Sequence, residues 1–176
     1  MDTVVLEKIK NAIRDIPDFP KKGIIFKDIT PLIKDKELFK EVIDILAARY
    51  KDKKIDLIAC IDARGFIFGG ALAYKLGVGL VPVRKQGKLP HRTKRATYDL
   101  EYGTDAVEIH EDAVMPGHRI LLVDDLLATG GTAAAAANLI QEAGGDLVEI
   151  AFLIELEFLH GKDKLKNNSI FSLIKF

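Results

Sequence analysis

The chain has 176 residues, of which 48% are hydrophobic and 30% charged, and this suits one folded domain with a buried core. Basic and acidic residues number 26 each, and the resulting net charge of zero argues against a general nucleic-acid-binding protein, which would carry a broad basic excess. The single cysteine excludes an internal disulfide, and the lack of a signal-peptide segment or of an apolar run of about 18–20 residues predicts a cytoplasmic protein without a membrane span.

The N-terminal part of the chain predicts two helices separated by an apolar loop. Apolar residues at helical spacing predict an amphipathic helix over about 4–15. Residues 21–31 follow as a loop in which Thr30 is expected to be extended, because a proline comes after it. A second helix is predicted over 38–49, with Asp35 placed to cap it.

From residue 55 onwards, apolar runs of strand length alternate with helical segments. The runs predict strands at 55–62, 79–84, 119–125 and 146–156, with an added edge strand at 169–176, and helices at 65–77 and 132–145. Strands without charges that are joined by helices are typical of a parallel sheet covered on both faces. We therefore expect a doubly wound α/β domain that spans residues 1–176.

Residues 85–112 break this pattern. They are basic at first and then alternate, with Tyr98, Leu100 and Tyr102 on one face. A turn at 103–105 would connect them to a facing strand. The segment predicts a β-hairpin that follows a mobile approach loop.

The stretch VDDLLATGGT, residues 123–132, combines two acidic residues with a loop suited to an anion. Asp124 and Asp125 close a predicted strand, and their carboxylates suit vicinal hydroxyls or a Mg²⁺ ion held through water. The following loop precedes a helix, whose free amides and dipole favour a phosphate; it contains Ala128, Thr129, Gly130, Gly131 and Thr132. A ribose 5-phosphate satisfies both halves. The alternative is an acidic strand end followed by a threonine that caps the helix.

Three further groups of residues allow a functional and a structural interpretation. Ala63 and Arg64 lie between a strand and a helix, as a second anion nest or as part of a surface salt bridge. The basic residues after the next strand can clamp an anion or form a solvated face; they are Arg84, Lys85 and Lys88. Phe26 can stack on a flat base or belong to the core.

Several segments together resemble the type I phosphoribosyltransferase family. LLVDDLLATGGT is similar to the signature with which that family binds phosphoribosyl pyrophosphate. FPKKGIIFKDITPLIKD, IDARGFIFGGALA, VRKQGKLP and YDLEYGTDAVEIHEDAV resemble its adenine-specific branch, in order along essentially the whole chain. The resemblance implies a small N-terminal hood that binds the base, residues 1–34, and a flexible catalytic loop and hairpin, residues 85–112.

The same resemblance implies a reaction in purine salvage. The 5-phosphoribosyl group of phosphoribosyl pyrophosphate passes to adenine, giving AMP and pyrophosphate, with Mg²⁺ held mainly by the substrate, in an enzyme that is a homodimer. Glu101 is the implied acid–base residue, and Tyr102 lies in the same loop. The 128–132 loop and the two aspartates would bind the phosphoribosyl group.

The resemblance also implies which residues contact pyrophosphate and which contact adenine. Pyrophosphate would contact Ala63, Arg64, Arg84, Lys85 and Lys88, in a family that often has a cis peptide bond at the position of Asp62–Ala63. Adenine would contact Ile25, Phe26, Lys27 and Leu156. Relatives often carry Ser in place of Ala63 and Arg in place of Lys27, so a hydroxyl and a guanidinium contact are missing here.

Two alternatives remain open at this point. One is a phosphoribosyltransferase for another purine, which would need a side-chain donor for a 6-oxo group near Phe26 and Leu156; the sequence offers none there. The other is a non-catalytic regulator on the same fold that binds a nucleotide and contacts DNA. The chain has no added DNA-binding segment, and it keeps Glu101.

Overall fold

The structure, a computed structural model, describes residues 3–99 and 104–176. The chain divides into two compact units, Met1–Ala48 and Arg49–Phe176. Among the described residues, no helix has both the length and the apolar character needed to cross a membrane.

The first unit contains short helices and a two-stranded antiparallel sheet. Its elements are α1 (Thr3–Asn11), β1 (Arg14–Pro17), β2 (Ile25–Asp28), α2 (Thr30–Lys34) and the larger part of α3 (Lys36–Tyr50). Two ion pairs join the strands: Arg14 lies 2.6 Å from Asp28, and Lys27 lies 2.6 Å from Asp15. The Asp35 carboxylate accepts hydrogen bonds from the amides of Glu37 and Leu38, which confirms the predicted cap of α3.

Three predictions for this unit were wrong. The first helix ends at Asn11 rather than near residue 15, because residues 14–17 pair with β2. Residues 25–27 form a strand and not a loop. Thr30 begins a helix instead of being extended, since Pro31 fits the first helical turn and the Asp28 carboxylate accepts hydrogen bonds from the Thr30 amide at 2.8 Å and hydroxyl at 2.5 Å.

The second unit is built on a sheet with seven described strands. Its elements are β3 (Leu57–Ile61), α4 (Gly65–Leu76), β4 (Gly79–Lys85), β5 (Thr93–Asp99), β6 (Thr104–His110), β7 (Arg119–Leu127), α5 (Gly131–Glu142), β8 (Asp146–Glu155), two short 3₁₀ helices (Glu157–Leu159 and Gly161–Leu165) and β9 (Ile170–Lys175). The strand order is β5-β6-β4-β3-β7-β8-β9. Strands β4, β3, β7, β8 and β9 are parallel, and β6 pairs antiparallel with both β4 and β5. The predicted α/β fold with a mostly parallel sheet is confirmed.

The core explains how the sheet presents its loops. Buried alanines on α5 let the helix lie close to the sheet; they are Ala133, Ala135, Ala136 and Ala137. Strands β3 and β7 are neighbours, and Cys60 pairs in register with Val123. The loops that follow these two strands therefore begin side by side at one edge of the sheet.

Most predicted bounds in this unit shift by one to three residues, and two of the differences concern residues of the site. Strand β7 continues to Leu127, so Asp124 and Asp125 lie inside the strand rather than at its end. The predicted turn at 103–105 is wrong for Thr104 and Asp105, which begin β6, because Asp99 already pairs with Thr104.

Candidate functional site

A cavity of about 330 Å³ opens where β3, β4 and β7 end. Its walls combine the loop after β3 with parts of β4, β7 and the hairpin strands. The polar lining consists of Asp62, Arg64, Lys85, Tyr98, Asp105, Asp124, Asp125 and Thr132. Open α/β sheets bind ligands at the carboxyl ends of their strands, so this cavity is the candidate site.

The two aspartates of β7 share one wall of the cavity. The Asp125 side chain is almost fully buried, and its carboxylate lies 2.8 Å from Nε of Arg64. The Asp124 carboxylate accepts a hydrogen bond of 2.8 Å from the Asp125 amide. Burial raises the pKa of both carboxyl groups, and the neighbouring Asp125 carboxylate raises that of Asp124 further. The pair is therefore suited to ligands that donate hydrogen bonds or carry positive charge.

The 128–132 loop forms a second, smaller pocket of about 80 Å³ directly after β7. Gly130 is the N-cap of α5 and has a left-handed backbone with φ near +79°. As a glycine it offers no side chain to the first amides of the helix, so these amides are open to an anion. Asp124 and Thr132 belong to the walls of both pockets. The structure thus joins the acidic pair to the anion loop, as the sequence predicted.

The second predicted anion loop, residues 62–64, follows β3, which is the neighbour of β7 in the sheet. Its Asp62–Ala63 peptide bond is cis. Ala63 and Arg64 both line the cavity, and Gly65 begins α4. A Cβ atom at Gly65 would lie 2.9 Å from the Val123 carbonyl oxygen, so the start of α4 needs a glycine to approach β7 this closely.

Two of the three predicted basic residues, Arg84 and Lys85, are the last residues of β4 rather than following it, and both are paired with carboxylates. Nε of Arg84 lies 2.9 Å from the Asp62 carboxylate, and its Nη1 donates to the carbonyl oxygen of Lys88 at 3.2 Å. Lys85 lies 3.0 Å from the Asp105 carboxylate. Of the three predicted basic residues, Lys85 lines the cavity, whereas Arg84 and Lys88 stand outside its described walls.

Sequence reasoning missed two residues that line the site, Tyr98 and Asp105. The Tyr98 hydroxyl is 3.2 Å from the Asp105 carboxylate; burial raises the pKa of Tyr98, and the Thr132 side chain acts in the opposite direction. Tyr98 and Asp105 are directly opposite in the β5–β6 register. They link the hairpin to the 128–132 loop. Strand alternation placed Tyr98 on an apolar face, and only the pairing register shows that its hydroxyl reaches a carboxylate.

The residues predicted to contact a base are divided between the two units. In the first unit, Ile25 is exposed, the ring of Phe26 meets that of Phe19 edge to face at 5.3 Å, and Lys27 is paired with Asp15. In the second unit, Leu156 is buried directly after β8. Glu101 and Tyr102 lie outside the described residues, so the structure does not test their predicted roles.

Within the described parts of the chain, no group of three or more metal-binding side chains lies together. Asp124 and Asp125 are carboxylates of β7 that line the cavity, and Asp124 also lines the pocket of the 128–132 loop. Two such groups fit a Mg²⁺ ion that keeps several waters and takes its other ligands from a phosphorylated substrate, which is how Mg²⁺ usually binds.

Comparisons with a family model and with known proteins agree on one family. A family model described as "Phosphoribosyl transferase domain" matches residues 32–173. The adenine phosphoribosyltransferase of Syntrophotalea carbinolica is 58% identical over 171 residues, which cover 97% of this chain and 100% of that protein.

Solved structures give the same result. The crystal structure of adenine phosphoribosyltransferase from Thermoanaerobacter pseudethanolicus superimposes with a TM-score of 0.94 at 59% identity and covers 97% of this chain and 99% of its own. The enzyme from Saccharomyces cerevisiae, complexed with an imino-altritol bisphosphate and adenine, has a TM-score of 0.93 at 42% identity and covers 98% of this chain and 100% of its own.

Proposed function

The chain belongs to the phosphoribosyltransferase family, and from this membership we propose that it transfers the 5-phosphoribosyl group of phosphoribosyl pyrophosphate to adenine, giving AMP and pyrophosphate. One observation carries the proposal: Asp124 and the buried Asp125 line a cavity that shares Asp124 and Thr132 with the pocket at the start of α5. The first suits the hydroxyls of a ribose and the second suits its 5-phosphate. The reaction belongs to purine salvage.

We place the phosphate on the 128–132 loop and the ribose hydroxyls on Asp124 and Asp125. Thr129 and Thr132 add hydroxyl donors to the amides at the start of α5. Because the pKa of each aspartate is raised by burial, both carboxylates gain from hydrogen-bond donors that replace lost water. The sugar would then be held at two points, which fixes the orientation of its C1 atom.

Pyrophosphate would lie against the 62–64 loop and the basic residues at and after the end of β4. Arg64 and Lys85 line the cavity. Arg84, at the end of β4, and Lys88, whose carbonyl oxygen accepts a hydrogen bond from Arg84, would join them. When bound, Mg²⁺ would neutralise charge on the departing pyrophosphate, with Asp124 and Asp125 contacting it through water.

The base contacts and the acid–base step are carried over from the family resemblance. Phe26 would stack on adenine, the backbone of Ile25 and Lys27 would read its edge, and Leu156 would cover its other face. Glu101 would share a proton with the ring as N9 loses its own. Closure of the loop that contains Glu101 and Tyr102 would exclude water, which otherwise hydrolyses the activated sugar.

We further propose that the protein is a homodimer that works in the cytoplasm, where its charged substrate is held by the cell membrane. Three exposed apolar side chains support a subunit interface. Tyr74 on α4 is 91% exposed, and Ile67 and Leu80 are also exposed on α4 and β4. A mass of one subunit by light scattering would contradict the dimer.

The experiment that tests the function is a turnover assay with phosphoribosyl pyrophosphate, Mg²⁺ and each of adenine, hypoxanthine and guanine. We expect AMP from adenine and no nucleotide from the two oxopurines. Nucleotide formed from hypoxanthine or guanine would favour the oxopurine alternative. AMP binding without turnover of any base would favour the regulator.

A further inference from the structure

The 128–132 loop is in direct backbone contact with the segment that follows β8. Gly161 begins the second 3₁₀ helix of that segment. A Cβ atom at Gly161 would overlap the carbonyl oxygen of Ala128, and a Cβ atom at Gly130 would overlap the carbonyl oxygen of Gly161. The two segments thus meet through one glycine each, and neither glycine has room for a methyl group.

Residues 156–165, which we call the brace segment, are anchored on both sides of this contact. At one end the Leu156 amide donates to the Leu127 carbonyl oxygen at 3.0 Å. At the other end Leu165 is fully buried in the same core cluster as Leu127 and Ala133. Between these two anchors, Lys162 lies 2.8 Å from the carboxylate of Glu155, a buried residue at the end of β8. These contacts therefore anchor the brace segment to β7, to the end of β8 and to the hydrophobic core.

The position of this contact matters for anion binding. Gly130 is the N-cap of α5, and its left-handed backbone directs the following amides. A loop that binds phosphate through amides loses affinity when those amides move, since each hydrogen bond to a charged group is worth about 1.5–3 kcal/mol, or about ten- to a hundredfold. The wall behind Ala128 and Gly130 is the backbone of Gly161.

We propose that Gly161 is a positioning residue of this site: it holds the 128–132 loop in the shape that binds the 5-phosphate, and the Lys162–Glu155 ion pair keeps Gly161 in place. This inference rests on the proposed function and extends it to a segment that supplies no ligand of its own to the phosphate.

The test is the variant Gly161→Ala. We expect the dissociation constant of ribose 5-phosphate, measured by calorimetry, and the KM for phosphoribosyl pyrophosphate to rise by about ten- to a hundredfold. The KM for adenine should change by less than about threefold, because the base does not touch the loop. A substitution that only lowers stability would not separate the two substrates in this way.

Gly145→Ala is the matched control. A Cβ atom there would lie 2.7 Å from Ile120 Cδ1 and 3.0 Å from the Ile140 carbonyl oxygen, so it is also crowded. Gly145 directly precedes β8, at the amino end of the sheet and away from the cavity. This variant should lose thermal stability and keep its ribose 5-phosphate affinity.

A second variant keeps the inference testable if Gly161→Ala does not fold. Lys162→Met removes the ion pair but keeps most of the aliphatic part of the side chain. We expect a smaller, few-fold rise in the dissociation constant of ribose 5-phosphate, and Lys162→Arg should keep the affinity of the parent. A folded Gly161→Ala protein with the parent's ribose 5-phosphate affinity would overturn the inference, as would an equal loss in Gly145→Ala. If the parent binds ribose 5-phosphate but does not convert adenine, the proposed function fails while this comparison still decides the role of Gly161.

Discussion

Replacing Glu149 with Gln removes a buried carboxylate that ties three parts of the second unit together. Its oxygens are contacted by Arg49 Nε and Nη2, both at 2.8 Å, by the Tyr50 hydroxyl at 2.7 Å, by the Ser169 hydroxyl at 3.0 Å and by Lys53 Nζ at 3.3 Å. Arg49 also lies over the ring of Phe171 at 4.1 Å. The cluster joins the end of α3 to β8 and to the start of β9.

The size of the effect follows from the pKa of Glu149. Burial alone would raise this pKa, but the hydrogen bonds from Arg49, Tyr50 and Ser169 outweigh burial and lower it from 4.5 to about 2. At about 1.4 kcal/mol per pH unit, this interval corresponds to roughly 3 kcal/mol. Arg49 and Lys53 are each about one-third exposed, so screening by solvent reduces the expected contribution to about 2–3 kcal/mol.

The dependence on pH has a definite sign. Because the pKa of Glu149 is lower in the folded than in the unfolded chain, its stabilisation is complete above about pH 4.5 and is lost as the pH falls towards 2. Urea unfolding of the parent and of Glu149→Gln should therefore differ by about 2–3 kcal/mol at pH 7, and by progressively less between pH 4.5 and pH 2.

The exposed pair of Arg119 and Asp146, 2.7 Å apart, provides the control. Asp146→Asn should cost less than about 1 kcal/mol, because solvent screens such pairs. A Glu149→Gln protein as stable as the parent at pH 7 would refute the assigned strength of the cluster. If the loss in the free energy of unfolding were the same at every pH, the effect would come from packing rather than from charge.

Three further predictions concern the proposed reaction. Asp124→Asn and Asp125→Asn should each raise the KM for phosphoribosyl pyrophosphate in steady-state kinetics, since each lost charge-assisted hydrogen bond costs about 1.5–3 kcal/mol; unchanged kinetics would make the pair structural. Phe26→Ala should weaken adenine binding by about 1–3 kcal/mol in calorimetry and leave phosphoribosyl pyrophosphate affinity nearly unchanged, whereas equal losses for both would indicate a core role. Glu101→Leu should lower turnover by about 10²- to 10⁴-fold while AMP still binds in a titration, and Glu101→Gln should lose less; normal turnover in the leucine variant would exclude acid–base catalysis by this residue.

The parts of the fold that the sequence predicted are those whose signals are local. The strand that contains Asp124, the loop around Gly130 and the helix after it follow one another within a short stretch, so periodicity and composition define all three. The same holds for α4, which ends as expected at Gly77, a residue with a left-handed backbone. A parallel sheet then brings the carboxyl ends of neighbouring strands together, and the joined site follows from topology.

The errors arise where the deciding partner is distant in sequence. Arg14 and Asp15 sit in a segment with helical spacing, yet they form a strand because Asp28 and Lys27 lie opposite. Tyr98 was assigned to an apolar face, and its polar contact depends on the strand register. Gly161 belongs to no recognisable motif, since a close approach between two backbones leaves no pattern in either segment alone.

The ion pairs of the site provide a way to couple the proposed pyrophosphate position to the proposed ribose position. At this end of the sheet Arg64 is paired with Asp125, Arg84 with Asp62 and Lys85 with Asp105. Without these aspartates, the mutual repulsion of the cations would oppose folding. The carboxylates balance that charge, so on the proposed function an incoming pyrophosphate would compete with them for the cations.

Arg64 gives this exchange a direction. If Arg64 turns to the pyrophosphate, the Asp125 carboxylate loses its cation while it remains buried, and this raises its demand for hydrogen-bond donors. On the proposed function, the ribose hydroxyls of the same substrate molecule supply those donors. Binding of pyrophosphate at Arg64 would then strengthen binding of the ribose at Asp125. After transfer, departure of pyrophosphate would return Arg64 to Asp125, which would weaken binding of the nucleotide and favour its release.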